Sequence, residues 1–114
     1  MKKLFVFPFL AIAFGTSLSF AAQIDPTEMA DTGVVESVSC TDGAQLNGNL
    51  VPDNLRVGKS VTHLDLYLVS GGWDETRDNK GTLKQRIYYF GSQNLETQNP
   101  CGTSDLAVKV SFAR

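Results

Sequence analysis

The sequence predicts an all-β fold: a small antiparallel sandwich or partly open barrel of five to six strands, cross-linked by one disulfide after removal of an N-terminal signal peptide. Three observations predict it. Apolar residues alternate at period two in several short runs, the signature of half-buried strands. The segments between those runs are rich in Gly, Asn, Asp and Pro, which favour turns. The chain also opens like an export precursor and carries two cysteines far apart, at 40 and 101.

The opening is Met1-Lys2-Lys3, then the apolar run "LFVFPFLAIAF" from Leu4 to Phe14, then "GTSLSFAA". A basic start, an apolar stretch of about 7–15 residues and a small-residue exit describe a secretory signal peptide. Ser19-Phe20-Ala21 sets cleavage after Ala21, with Ala22 as the alternative, so residues 1–21 read as the signal and the protein as secreted or periplasmic. A membrane span requires about 20 apolar residues. Pro8, Gly15 and the Ser and Thr residues dilute this run, so none is expected after cleavage. Loss of Lys2 and Lys3 leaves eight basic residues against 12 acidic ones, net −4. Nucleic-acid partners want a basic stripe, and that class is excluded.

Residues 22–33, "AQIDPTEMADTG", show no clear period and read as a flexible N-terminal arm, with a helical turn allowed from Pro26. Residues 34–114 read as one β domain. In "VVESVSC" (34–40), Val34, Val38 and Cys40 share a face with Glu36. In 41–58, Asn47-Gly48 predicts a two-residue hairpin turn. "SVTHLDLYLV" (60–69) reads as a strand with Leu64, Leu66 and Leu68 on one side and His63, Asp65, Tyr67 and Val69 on the other. "DLAVKVSF" (105–112) alternates most cleanly, with Leu106, Val108, Val110 and Phe112 inward.

Between these lies "GGWDETRDNKGTLKQRIYYF" (71–90), a hairpin closed by Asp78-Asn79-Lys80-Gly81, with Asp and Gly at preferred turn positions. Gly81 in a left-handed conformation forms a G1 bulge and sets Asp78 opposite Thr82. Continued without interruption, that register pairs Asp74 with Arg86 and Trp73 with Ile87. Gly71-Gly72 reads as a bulge or kink.

A chain this small buries only some two-thirds of its unfolded surface, so its core needs help. In an oxidising compartment Cys40 and Cys101 read as a disulfide. Closing a loop of about 60 residues contributes roughly 4 kcal/mol in the chain-entropy model.

Candidate chemistry is sparse. Asp74, Glu75, Asp78 and Asn79 crowd together, but an EF-hand loop wants Gly sixth and Glu twelfth; counted from Asp74 these are Asn79 and Gln85. No metal or cofactor is expected. His63 and Asp65 could orient one another, yet a triad also needs a serine with an oxyanion hole, and no G-x-S-x-G occurs. No catalytic residue is assigned. The remaining feature is an aromatic platform of Trp73, Tyr67, Tyr88 and Tyr89, with Asp74 and Arg86 beside it. Rings with polar tips are enriched at interfaces, and Tyr88 and Tyr89, being adjacent, must point to opposite faces. The expectation is a binding module for a protein or glycan partner, of the inhibitor, immunity or receptor-binding type. A structural or assembly subunit of the cell envelope, its sheet edges pairing between chains as an oligomer, is the alternative; a small secreted hydrolase ranks third.

Overall fold

In the computed structural model, which describes residues 26–113, the chain forms one five-stranded antiparallel sheet. The elements are α1 (Pro26–Met29), β1 (Thr32–Cys40), β2 (Ser60–Thr62), α2 (His63–Tyr67), β3 (Trp73–Arg77), β4 (Leu83–Phe90) and β5 (Leu106–Ser111), with short 3-10 turns at Gly48–Leu50, Asp53–Leu55 and Ser92–Asn94. Strand order is β2-β1-β5-β4-β3. Residues 1–21, expected to be a signal peptide, lie outside the described part. Of the segment expected as a flexible arm, residues 26–33 form α1 and the start of β1, which begins at Thr32 rather than 34.

The cleanest alternation in the sequence becomes the central strand. Leu106, Val108 and Val110 of β5 have no exposed surface and Phe112 almost none. Burying each such side chain contributes about 1.5–3 kcal/mol relative to leaving it in water. β5 pairs with β1 from Cys40↔Leu106 to Val34↔Ser111 and with β4 from Phe90↔Leu106 to Gln85↔Ser111. Gly33 is needed here because a Cβ at that position would lie 2.5 Å from Val110 Cγ1 and 2.9 Å from the Ser111 carbonyl oxygen.

The all-β class and the single cross-link hold, but the sandwich or barrel does not form among the described residues. Two runs expected as a strand and a hairpin take other shapes. The 60–69 run is a strand only to Thr62, whose hydroxyl accepts from the Asp65 backbone N–H at 3.1 Å and caps α2. Helical spacing then buries His63 and Leu66 and leaves Leu64 and Leu68 in solvent, so the three leucines do not share a face. At Asn47 the side-chain oxygen accepts from the Asn49 N–H at 3.2 Å and starts a 3-10 turn in place of the expected hairpin. Asn47 has φ −87°, not the positive φ that a type I′ turn requires.

These segments roof one face of the sheet. The chain must pass from β2 at one edge to β3 at the other, about 19 Å across three intervening strands. Residues 63–72 make that crossing over the covered face. Leu66, Leu55 and Val51 join the inward side chains of β1, β4 and β5 in one core.

Two bulges set which residues face it. Pairing shifts between Val35 and Ser37, so Glu36 is the extra residue. Gly33 and Val35 are therefore buried with Cys40, while Val34 is exposed, contrary to the expected face. A second shift sets Thr76 opposite Gln85 and Arg77 opposite Leu83. The extra residue is Lys84, and both Leu83 and Arg86 turn inward.

The disulfide ties the end of β1 to the long β4–β5 connection, with Cys40 and Cys101 Cα atoms 5.6 Å apart. Buried Asn99 fixes that connection: its Oδ1 accepts from the Cys101 N–H at 2.8 Å and its Nδ2 donates to the Ser104 carbonyl at 3.0 Å. The Asn47 N–H donates to the Pro100 carbonyl at 3.1 Å, which secures the 41–58 segment to the same point.

Candidate functional site

The hairpin tip forms as its sequence dictates. The Asp78 N–H donates to the Thr82 carbonyl at 3.0 Å, the Gly81 N–H donates to the Asp78 carbonyl at 3.0 Å, and Gly81 has φ +84°. Asp78 Oδ1 accepts from the backbone N–H groups of Lys80 and Thr82, both at 2.9 Å. The second of these bonds is the main cause holding its carboxyl below the usual range. Beyond Lys84 the bulge moves the partners by one residue. Trp73 faces Tyr88, Asp74 faces Ile87 and Glu75 faces Arg86; the expected Asp74–Arg86 and Trp73–Ile87 pairs do not occur. One extra residue in one strand is enough to change every later pair.

The structure divides the six expected binding residues between the two faces of the sheet. Tyr89 and Asp74 lie on the open face, where the Tyr89 hydroxyl donates to Asp74 Oδ2 at 2.8 Å. That hydrogen bond raises the phenol pKa. Trp73, Tyr67, Tyr88 and Arg86 lie on the covered face. Tyr88 and Arg86 are fully buried there, and Trp73 and Tyr67 half-buried.

The centre of this group is His63. Its ring sits 4.9 Å from Trp73 edge-on, 5.5 Å from Tyr67 and 5.8 Å from Tyr88. Its Nδ1 is hydrogen-bonded to the Tyr88 hydroxyl at 2.8 Å. Burial, reinforced by the charge of Arg86, pushes the imidazole pKa down to about 4, so His63 is neutral at pH 7. Burial likewise raises the Tyr88 phenol, against the opposing influence of Arg86. His63 Nε2 and Arg86 Nη1 have no hydrogen-bond partner among the described residues.

Beside the rings, four charges close on each other. Arg86 Nε donates to Glu75 Oε1 at 3.1 Å and its Nη2 donates to Glu28 Oε1 at 3.2 Å. Arg77 donates to the same two acids, through Nε to Glu75 Oε2 at 2.7 Å and in bidentate fashion to Glu28 at 2.8 and 2.9 Å. Charge-assisted and bidentate bonds are the strong class. The hydrogen bond from Arg77 holds the Glu28 carboxyl below its usual range. For Glu75 burial pulls upward, yet the bonds from Arg77 and Arg86 outweigh it and the net direction is down. His63, Glu28, Glu75 and Arg77 are the members that sequence reasoning left out of the binding set. Glu28 carries no local sequence signal for a bond 49 and 58 positions away.

A different surface stands on the outside of α2. Leu64 is 57% exposed, Leu68 80% and Val69 48%. Leu64 and Leu68 are four residues apart on one side of a helical segment. Val69 also lines a pocket of about 260 Å³ with the buried Leu55, Leu66 and Phe90 at its floor, the half-buried Leu95 and Asn94, and the exposed Glu96 at its rim. Sequence reading missed it because a strand would have put Leu64 and Leu68 with Leu66 inside. The signal that would have found it is Thr62-x-x-Asp65, an N-terminal helix cap.

Among the described residues no helix is long and apolar enough to cross a membrane, and no three His, Cys, Asp or Glu side chains are grouped as a metal site would need. Compared with protein-family models, with curated proteins and with solved structures, the chain matches none.

Proposed function

We propose that this is a small exported binding module that recognises a protein partner through the outer side of α2 and the pocket beside it. The observation that carries the reading is the solvent exposure of Leu64, Leu68 and Val69 next to an apolar pocket. Large apolar side chains left in solvent beside an apolar pocket mark an interaction site more often than chance exposure does. Apolar lining favours a protein partner over a glycan. The export part of the proposal rests on the leader-like residues 1–21 and on the Cys40–Cys101 bridge, which is compatible with an extracellular location.

Two considerations support this reading over its rivals. A hydrolase would need its titrating group within reach of substrate, and His63 is buried, neutral and hydrogen-bonded to Tyr88. An envelope subunit built by edge pairing would want a plain edge strand. The β3 edge instead carries Asp74, Glu75 and Arg77 and is only five residues long, which is how natural sheets deter such pairing.

The test is capture of a partner by the oxidised protein from envelope and culture-medium fractions, with crosslinking. A Leu64→Ser/Leu68→Ser double variant is expected to lose whatever the parent protein retains, at unchanged melting temperature. Undiminished capture by that variant would remove α2 from the interface.

A further inference from the structure

We infer that the pocket beside α2 is built to take one large apolar side chain from a linear segment of the partner, with Lys or Arg next to it. This rests on the reading of the α2 surface as the recognition face. Volume supplies the first half of the inference. An apolar cavity of about 150 Å³ already accommodates a benzene-sized ring, so about 260 Å³ accepts a Phe, Leu or Trp side chain. The floor residues Leu55, Leu66 and Phe90 are buried and fixed by the core, so the pocket is formed before a ligand arrives. Its far wall belongs to the β4–β5 connection. There Asn94 is pinned through its Oδ1, which accepts from the Gly91 N–H at 3.0 Å, and Cys101 anchors the same connection to β1.

Charge supplies the second half. Glu96 stands at the rim. Asp65 is exposed on α2 between Leu64 and Leu66. Neither makes an ion pair among the described residues. Asp53, on the turn that contributes Pro52 and Asn54 to the pocket, is 96% exposed, and the cation on that turn, Arg56, is bound to it at 3.3 Å. With Arg56 engaged by Asp53, the Glu96 carboxylate that lines the pocket is left unneutralised, and an apolar hole beside it selects an apolar anchor with a cationic neighbour and repels an acidic one. A second copy of this net-acidic chain is a poorer occupant on the same ground.

The experiment is an NMR titration of the oxidised protein with three capped tetrapeptides: Lys-Phe-Leu-Lys, Glu-Phe-Leu-Glu and Lys-Ser-Ser-Lys. The expected result is shifts at Leu66, Val69, Phe90 and Leu95 with the first peptide, about tenfold weaker binding of the second, and none with the third. Glu96→Gln should narrow the gap between the first two, and Val69→Trp, which fills the mouth, should abolish binding. Equal affinity for the acidic and basic peptides would overturn the charge argument, and binding of the serine peptide would overturn the anchor. If no peptide binds while Leu64→Ser/Leu68→Ser still abolishes partner capture, the inference falls and the proposed function stands. If the basic peptide binds but that double variant captures normally, the pocket is a ligand site and α2 is not the recognition face. Sedimentation of the parent protein checks the remaining occupant: a dimer lost in Val69→Trp would assign the pocket to a second copy and overturn the inference.

Discussion

The hairpin end of the covered face and the flank formed by α2 differ in what their side chains have left to give. At the hairpin end Trp73, Tyr88, His63, Arg86, Glu75 and Glu28 look like functional-site residues, and each is already engaged with another. On the flank, Leu64, Leu68 and Val69 look like core residues and are left open to solvent. Chemical reactivity by residue type is therefore a poor guide here. What separates the regions is whether the fold has used the group. The first region should respond to mutation as structure does, and the second as an interface does.

The largest expected effect tests the bridge that anchors the β4–β5 connection to β1. Replacing Cys40 and Cys101 with Ser, or reducing the bridge, should lower stability by about 4 kcal/mol, read from the urea midpoint with and without reductant. The β4–β5 connection should loosen with it, so peptide binding at the pocket should weaken even where the sheet persists. Unchanged stability after reduction would mean that the core alone holds β1 to that connection.

Next comes the charge cluster. Arg86 is buried against two carboxylates that are themselves partly exposed. Removing one partner of a buried pair strands the other charges at a cost of about 3–5 kcal/mol. The exposure of Glu28 and Glu75 places Arg86→Ala near the lower end, about 3 kcal/mol. Denaturant unfolding would check it, and a loss below about 1 kcal/mol would mark the cluster as surface decoration.

Acid should open the same region from a different side. His63 has a pKa of about 4 inside the fold, against about 6.5 in an unfolded chain. The unfolded chain therefore binds the proton first as pH falls. Stability should decline from pH 6.5 to 4 and then level off for this group, a loss of up to about 3 kcal/mol. Glu28 and Glu75, whose values are lowered, add a further loss as pH drops below 4.5. Urea midpoints measured at intervals from pH 7 to 4 would show the slope. In His63→Phe the profile should be flat from pH 7 to 5 whatever its baseline, and a slope that survives that substitution would assign the titration to another group.

Legibility from sequence followed how local the determining interaction is. The Asp78–Gly81 turn and the β5 alternation depend on neighbours a few positions away, and both were readable. The pairing beyond the turn was not, because Lys84 bulges where β4 must serve β3 on one side and β5 on the other: its carbonyl accepts from the Phe112 N–H at 2.9 Å. Glu36 shows the same limit, as a polar residue on an apolar face that the strand expels by a bulge. The 60–69 run was ambiguous in kind. Leucines at alternate positions satisfied a strand, while His63, Leu66 and Tyr67 satisfied one helical turn, and the crossing from edge to edge decided between them. Of the candidate site, the clustering of Trp73, Tyr67 and Tyr88 was legible, but its burial depended on α2 and was not.

The smallest stability effect separates the two regions most sharply. Trp73→Ala removes a half-buried indole in contact with His63, Tyr67 and Tyr88 and should cost about 2–3 kcal/mol. Leu64→Ser/Leu68→Ser removes side chains that are mostly in water and should change stability by no more than about 0.5 kcal/mol. Partner capture should rank the variants the other way, with Leu64→Ser/Leu68→Ser losing the partner and Trp73→Ala keeping it at temperatures where it remains folded. Exposed leucines that cost nothing to remove from the fold and everything to remove from the complex are what a recognition surface requires. If folded Trp73→Ala also loses the partner, the aromatic cluster contributes to the interface, and the division between used and unused side chains fails at that residue.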